Sequence, residues 1–156
     1  MVRVLFVCLG NICRSPMAEA VFRHMVNEAG LGDQIEVDSA GIGDWYVGDP
    51  PHRGTREVLA RHNIPYDGRA RQVTRADLKR FDYVLAMDYD NLADLRALAS
   101  SNGQGMRIQL FMDYAPQAGT KEVPDPYYDG RFDEVYALVW QAAQGLLEHI
   151  RREHGL

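Results

Sequence analysis

Cys8 and Arg14, with five residues between them and Ser15 directly after, have the types and spacing to do chemistry. A thiol becomes a nucleophile where positive groups stabilise its thiolate. A guanidinium grips phosphate with a planar pair of donors that an ammonium cannot copy. The stretch Cys8-Leu9-Gly10-Asn11-Ile12-Cys13-Arg14-Ser15 is long enough to curl, so that the arginine fork and the loop amides face the sulfur together. Such a loop, set against the positive end of a helix dipole, binds anions and phosphate above all. The expected arrangement is a nucleophile at the floor of an oxyanion cradle. The competing reading is a buried structural cysteine beside a surface arginine.

Positioning that loop requires a strand before it and a helix after it, and both are legible. Val2-Arg3-Val4-Leu5-Phe6-Val7 is the nearly continuous apolar run of a strand buried on both faces. Ala18, Val21, Phe22, Met25, Val26 and Ala29 repeat with the period of an amphipathic helix. Ser15 suits its N-cap and Pro16 its first helical position, where a missing N–H is harmless. Further on, Ile35 to Ala40 alternates as a second strand, Phe81 to Met87 reads as a third, and Met106 to Phe111 as a fourth. Helices are expected over His52 to His62 (with Asn63 as a left-handed cap) and over Asn91 to Ser100, the latter ending near Asn102-Gly103. Thr74 with Asp77 reads as a capping box opening a short helix, and Val123 to Gly130 as a rigid irregular loop. Phe132, Val135, Tyr136, Val139, Ala143, Leu146, Leu147 and Ile150 mark one face of a closing helix.

Strands alternating with helices predict an α/β single-domain three-layer sandwich over residues 1–156, with a four-stranded parallel sheet flanked by helices. In such folds ligands bind at the carboxyl ends of strands, near a topological switch point. The phosphate-binding loop after the first strand falls at that place.

Composition narrows the function classes. The chain has 156 residues, is 46% hydrophobic and 25% charged, and carries a net charge of -5. That charge argues against nucleic acid or an anionic membrane as main partner, so attraction for an anionic substrate must come from the loop itself. No apolar stretch has the length of a membrane span, and no secretory signal pattern opens the chain. Two cysteines, both in the loop, make no disulfide framework, and a cytoplasmic location is expected. The five histidines (His24, His52, His62, His149 and His154) lack metal-ligand spacing, so neither a metal nor another cofactor is expected.

A thiolate that displaces an ester from phosphorus leaves an oxyanion needing a proton. Asp125 is the favoured donor, because Pro124 and Pro126 fix its direction and Tyr127 and Tyr128 follow as possible flanks for an aromatic ring. Asp38, Asp44, Asp49, Asp88 and Asp129 are less constrained rivals. Trp45 and Tyr46, amid the glycines and prolines of the loop after the second strand, either anchor that loop or rim a pocket.

Together these residues resemble the low-molecular-weight protein tyrosine phosphatases over essentially the whole chain. The resemblance rests on Val4-Leu5-Phe6-Val7-Cys8 through Arg14-Ser15-Pro16-Met17-Ala18-Glu19 and on Asp125-Pro126-Tyr127-Tyr128. Asp38-Ser39-Ala40-Gly41, Ala70-Arg71-Gln72 and Met87-Asp88 add to it. It implies phosphotyrosine hydrolysis through a phosphocysteine, with Cys8 as nucleophile, Arg14 as phosphate clamp and Asp125 as acid, then base. It also implies that Asn11, Ser15 and Ser39 hold the loop in shape, that Ser15 bonds the Cys8 thiolate, and that Gly10 and Ile12 lie in the cradle. Leu9, Trp45, Tyr127 and Tyr128 would wall a phenyl slot, and Cys13 would form a reversible disulfide with the nucleophile on oxidation. The alternative for Cys13 is a buried small apolar residue. The partners implied are phosphotyrosine proteins and oxyanion inhibitors such as inorganic phosphate, bound by a monomer. One position departs: many members carry a histidine two residues before Ala-Arg-Gln, where this chain has Gly68.

Two rivals remain distinct. An arsenate reductase on the same scaffold would need further cysteines to pass on a disulfide, and only Cys8 and Cys13 exist. A silent phosphoprotein-binding module would have no use for an acid over the leaving group.

Overall fold

The computed structural model describes residues 1–99 and 107–156. Four strands, β1 (Val2–Cys8), β2 (Ile35–Gly41), β3 (Tyr83–Ala86) and β4 (Arg107–Leu110), form one all-parallel sheet in the order β2-β1-β3-β4. The helices are α1 (Arg14–Glu28), α2 (Arg53–Arg61), α3 (Arg75–Arg80), α4 (Tyr89–Ala99), α5 (Pro126–Asp129) and α6 (Phe132–His154). The predicted α/β sandwich with a four-stranded parallel sheet is what forms.

Strand periodicity divides the core. Val4, Phe6 and Cys8 of β1, with Tyr83 and Leu85 of β3, face the apolar layer built by α1, α2 and α6. Leu5 and Val7, with Val84 and Ala86, face the opposite layer, where Leu78 of α3 and Leu92 and Leu95 of α4 pack. Phe6 meets Phe22 and Phe111 edge-on, with ring centroids 5.7 and 4.9 Å apart. Fully burying one such side chain stabilises by about 1.5–3 kcal/mol. Because α1 packs against β1, β2, α2 and α6 at once, every residue from Arg14 to Phe22 is buried, including positions outside the expected stripe.

Several boundaries differ from expectation for local reasons. The segment Phe81–Asp82 leaves β3 because Phe81 terminates α3, its N–H bonded to the Asp77 carbonyl. Helix α4 begins two residues earlier than expected, since Asp88 accepts the Asn91 N–H at 2.7 Å. Ser100 and Asn102-Gly103, expected to end α4, and Met106, expected to open β4, lie outside the described residues. Phe111 turns out of β4 into a 3₁₀ segment. The loop expected over Val123 to Gly130 contains α5, whose N-cap is Asp125 and whose first residue is Pro126. The capping box of Thr74 and Asp77 forms with both bonds, and Asn63 takes the left-handed conformation at φ 58°.

The strand order fixes where a ligand can sit. From β1 the chain passes to β2 on one side, then crosses to β3 on the other. The switch lies between β1 and β3, whose carboxyl ends carry Cys8 and, just beyond β3, Asp88.

Candidate active site

Cys8 is the last residue of β1, paired in register with Gly41. The chain then folds back on itself before α1, and the carbonyls of Cys8, Leu9, Ile12 and Cys13 are held from outside the loop. Ile42 N–H donates to Cys8 O at 2.9 Å, Gly43 N–H to Leu9 O at 3.0 Å and His52 N–H to Ile12 O at 2.7 Å. Thr55 Oγ1 donates to Cys13 O at 3.0 Å. A trans peptide points its N–H opposite to its C=O. The amides of Leu9, Gly10, Cys13 and Arg14 are therefore aimed into the loop, where an anion would lie.

Asn11 makes the turn possible by adopting a left-handed backbone, φ 58°, which asparagine tolerates better than most residues. Its amide nitrogen donates to Ser15 Oγ at 2.8 Å and Ser39 Oγ at 3.0 Å, and its amide oxygen accepts from Arg71 N–H at 3.0 Å. Gly41 lets the loop lie against β2: a Cβ there would sit 3.0–3.1 Å from backbone atoms of Gly10 and Asn11.

Ser15 does not cap α1, contrary to expectation. The helix opens at Arg14 with no side-chain cap, and Ser15 Oγ lies 3.0 Å from Cys8 Sγ instead. Pro16 then falls at the third helical position, still within the four residues whose N–H groups have no helical partner.

Arg14 is only 3% exposed, and three partners fix its guanidinium. Nη1 donates to Asp88 Oδ2 at 2.7 Å and to Val123 O at 3.0 Å, while Nη2 stands 3.6 Å from Asp125 Oδ2. Burial pulls its pKa down, but the charges of Cys8, Asp88 and Asp125 and the Asp88 bond more than offset this. Asp88 is thus a second anchor for the clamp as well as the cap of α4. By sequence alone Asp88 stands among the rival acids and, with Met87, among the residues that carry the family resemblance. Asp38 and Asp129 are engaged elsewhere, with Arg71 and Arg131 respectively.

Asp125 reaches the cleft from the other side, held by Tyr127 N–H on Oδ1 at 3.1 Å. A cleft of about 300 Å³ is lined by Cys8, Leu9, Gly10, Ile12, Cys13, Arg14, Trp45, Tyr46, Asp125, Tyr127 and Tyr128. Asn11, Ser15 and Ser39 are buried behind it. Tyr46, absent from the expected walls, is in the lining, its ring 6.4 Å from Tyr127. Trp45 and Tyr46 both line the cleft, and Tyr46 also packs against Ile12, Cys13 and Ala70, so for Tyr46 the anchoring reading forms as well. Tyr127 in turn meets His52 edge-on at 5.8 Å, and His52 stacks on Phe132 at 4.9 Å while capping α2 through Nδ1. The signal for His52 was its place before a helix; its support of a cleft wall needs the fold.

Burial first, then the charges of Cys8 and Asp125, push the Cys13 thiol up to about 12, with Arg14 opposing. Cys13 is therefore a neutral thiol near pH 7.

A thiol beside a buried guanidinium, within inward-facing amides at the carboxyl ends of a parallel sheet, defines an oxyanion site of phosphoryl-transfer type. The family of low molecular weight phosphotyrosine protein phosphatases matches residues 3–155. The chain is 49% identical over 157 residues to the low molecular weight protein-tyrosine-phosphatase YfkJ of Bacillus subtilis, covering 100% of both. The crystal structure of YfkJ superposes with a TM-score of 0.93 over 98% of this chain and 96% of that one. A low molecular weight protein-tyrosine-phosphatase of Streptomyces coelicolor is 46% identical over 97% of this chain and 94% of its own length. The tyrosine phosphatase Wzb from Escherichia coli K30, crystallised in complex with sulphate, is 28% identical with a TM-score of 0.79, covering 95% of this chain and 97% of its own. The chain belongs to the low-molecular-weight protein-tyrosine-phosphatase family.

Proposed function

We propose that this protein hydrolyses phosphotyrosine in proteins, and small aryl phosphates, in two steps without a metal. The observation that carries this is the convergence of Cys8, Arg14 and Asp125 on one aromatic-walled cleft. In the first step Cys8 Sγ forms a bond to phosphorus as the bond to the phenolic oxygen breaks. Asp125, in its acid form, gives its proton to the departing phenolate. Arg14 and the loop amides hold the non-bridging oxygens throughout. In the second step Asp125 takes a proton from water, the water oxygen bonds to phosphorus, and the S–P bond breaks to return the thiolate and release phosphate. Ser15, 3.0 Å from the sulfur, steadies it in both steps.

Selectivity for tyrosine over serine follows from depth. Leu9, Trp45, Tyr46, Tyr127 and Tyr128 make walls that accept a flat ring and leave a shorter seryl phosphate short of the sulfur. Inorganic phosphate competes for the same cradle, as the sulphate complex of Wzb supports. Attack of the Cys8 thiolate on the O–O bond of a peroxide would give a sulfenic acid and release the other oxygen as water or an alcohol. Condensation with the Cys13 thiol, losing water, would then form a disulfide that external thiols reduce. Such reversibility suits a reducing, cytoplasmic setting.

The test is phosphate release from a phosphotyrosine peptide, with a phosphoserine peptide alongside, in EDTA and reducing agent. Release from the tyrosine peptide alone, abolished by Cys8→Ser, is the expected result. Full activity in Cys8→Ser would sink the reading, and equal release from both peptides would remove the slot from it.

A further inference from the structure

Behind the phosphate loop runs a chain of hydrogen bonds whose far end is a tyrosine. Asn11 donates to both Ser15 Oγ and Ser39 Oγ, and the Arg71 N–H on its oxygen fixes which way its amide faces. Each serine hydroxyl thus accepts from Asn11 and has one proton to give onward. That of Ser39 goes to Glu19 Oε1 at 2.6 Å. That of Ser15 has Cys8 Sγ at 3.0 Å and Ala40 O at 3.4 Å within reach. Glu19 is 6% exposed, and a carboxylate can only accept. It therefore sets the polarity of the run, making Ser39 a donor to it and an acceptor from Asn11. With Cys8 as the thiolate, which can only accept, the Ser15 proton goes to the sulfur at 3.0 Å in preference to Ala40 O at 3.4 Å.

Two further groups hold Glu19. Arg23 Nη2 donates to Oε2 at 2.5 Å and to Val37 O at 2.6 Å. Tyr66 Oη donates to Oε1 at 2.8 Å, from a loop 47 residues further along the chain. Burial first, then the charge of Glu19 and the bond to it, raise the phenol above its ordinary range, so it stays a donor. The place its hydroxyl occupies exists because residue 68 is glycine. A Cβ on Gly68 would lie 2.2 Å from Tyr66 Oη and 2.4 Å from Cζ.

We propose that Tyr66 is a positioning residue for the thiol: its hydroxyl, in the space Gly68 leaves open, fixes Glu19 and, through Ser39, Asn11 and Ser15, the Cys8 sulfur. This rests on Cys8 being the nucleophile. The hydroxyl never meets substrate, so its loss falls on the chemical step and spares binding.

The experiment is steady-state kinetics on an aryl phosphate for the wild type, Tyr66→Phe and Gly68→Ala, repeated in a Ser15→Ala background, with thermal midpoints alongside. Tyr66→Phe is expected to lower kcat roughly tenfold with KM within about twofold, as a charged hydrogen bond transmitted through a relay would. Gly68→Ala, which keeps the hydroxyl but displaces it, is expected to act alike. With Ser15 already replaced, Tyr66→Phe should change kcat by less than about twofold, because two members of one relay do not add. Wild-type kcat in Tyr66→Phe, or the same loss with and without Ser15, would overturn the relay and leave Tyr66 as packing. If Tyr66→Phe does not fold, Gly68→Ala carries the same two outcomes. Absence of Cys8-dependent turnover in the wild type would overturn the functional reading itself, and the relay with it.

Discussion

Asp88 and Arg14, 74 residues apart in the chain, meet through a 2.7 Å bond that joins the carboxyl ends of β1 and β3. One carboxylate oxygen holds the guanidinium, and the other caps α4 through Asn91 N–H. Phosphate clamp and helix start share one side chain.

Asp88→Ala should therefore separate into two losses. The missing cap should cost about 1 kcal/mol of stability in chemical denaturation. The clamp, left buried with one fewer partner, should lose at least about tenfold in kcat/KM. Asp88→Ser, which can still cap, should recover stability without recovering kcat/KM. Recovery of both would show that Asp88 serves only the helix.

Asp125→Asn should lower kcat by about a hundredfold to ten-thousandfold for phenols that are poor leaving groups. The loss should shrink for activated nitrophenyl phosphates, whose phenolate leaves without a proton. A uniform loss across leaving groups would place the acid elsewhere.

Gly41→Ala should damage activity while the sheet stays intact. The added methyl meets loop backbone at 3.0–3.1 Å, where the neighbour must give by a few tenths of an ångström. Affinity for inorganic phosphate should fall together with kcat, read by competition and circular dichroism. Unchanged phosphate affinity would show that the loop tolerates the shift.

Stability should fall in acid through Asp77. Burial raises its pKa, but the Arg71 and Thr74 bonds and the Arg71 charge outweigh that and hold it below the usual carboxylate range. Such a group stabilises fully above the unfolded-state value near 4 and loses its contribution as pH falls through the lower folded value. Asp77→Asn should lower the thermal midpoint at pH 7 by a few degrees. It should also flatten the midpoint's dependence on pH below about 4. An equal acid slope in both proteins would remove Asp77 from the account.

Selective alkylation should separate the two thiols. With the Cys13 thiol pushed up to about 12, brief treatment near pH 7 should label Cys8 and spare Cys13, read by peptide mass spectrometry. The two cysteines are about equally covered, at 3% and 4% exposure, so equal labelling would contradict the raised Cys13 thiol rather than a difference in access.

The β1–loop–α1 unit and the closing helix were legible because strand and helix periods are local properties of sequence. The strand order was not, since nothing in β3 says that it lies beside β1. Ser15 shows the limit from the other side: a serine before proline reads as a cap, and its contact with the Cys8 sulfur seven residues earlier is expected only through the family resemblance, not from any local pattern. Asp88, Tyr46 and Tyr66 act across separations of 74, 81 and 47 residues, respectively to Arg14, Tyr127 and Glu19, beyond any local pattern. Gly68 was visible as a departure, but only the fold discloses the ring that fills its place.

The carbonyls of the cradle are held by residues 42, 43, 52 and 55, and its arginine by residues 88 and 123. A nascent chain that has left the ribosome only through α1 carries the thiol and the guanidinium but nothing to shape them. Its cysteine is then an ordinary one. Reactivity toward phosphate esters arrives late in synthesis, once the far end of the sheet and the Asp125 turn have docked, so that an unfinished or broken chain is silent by construction.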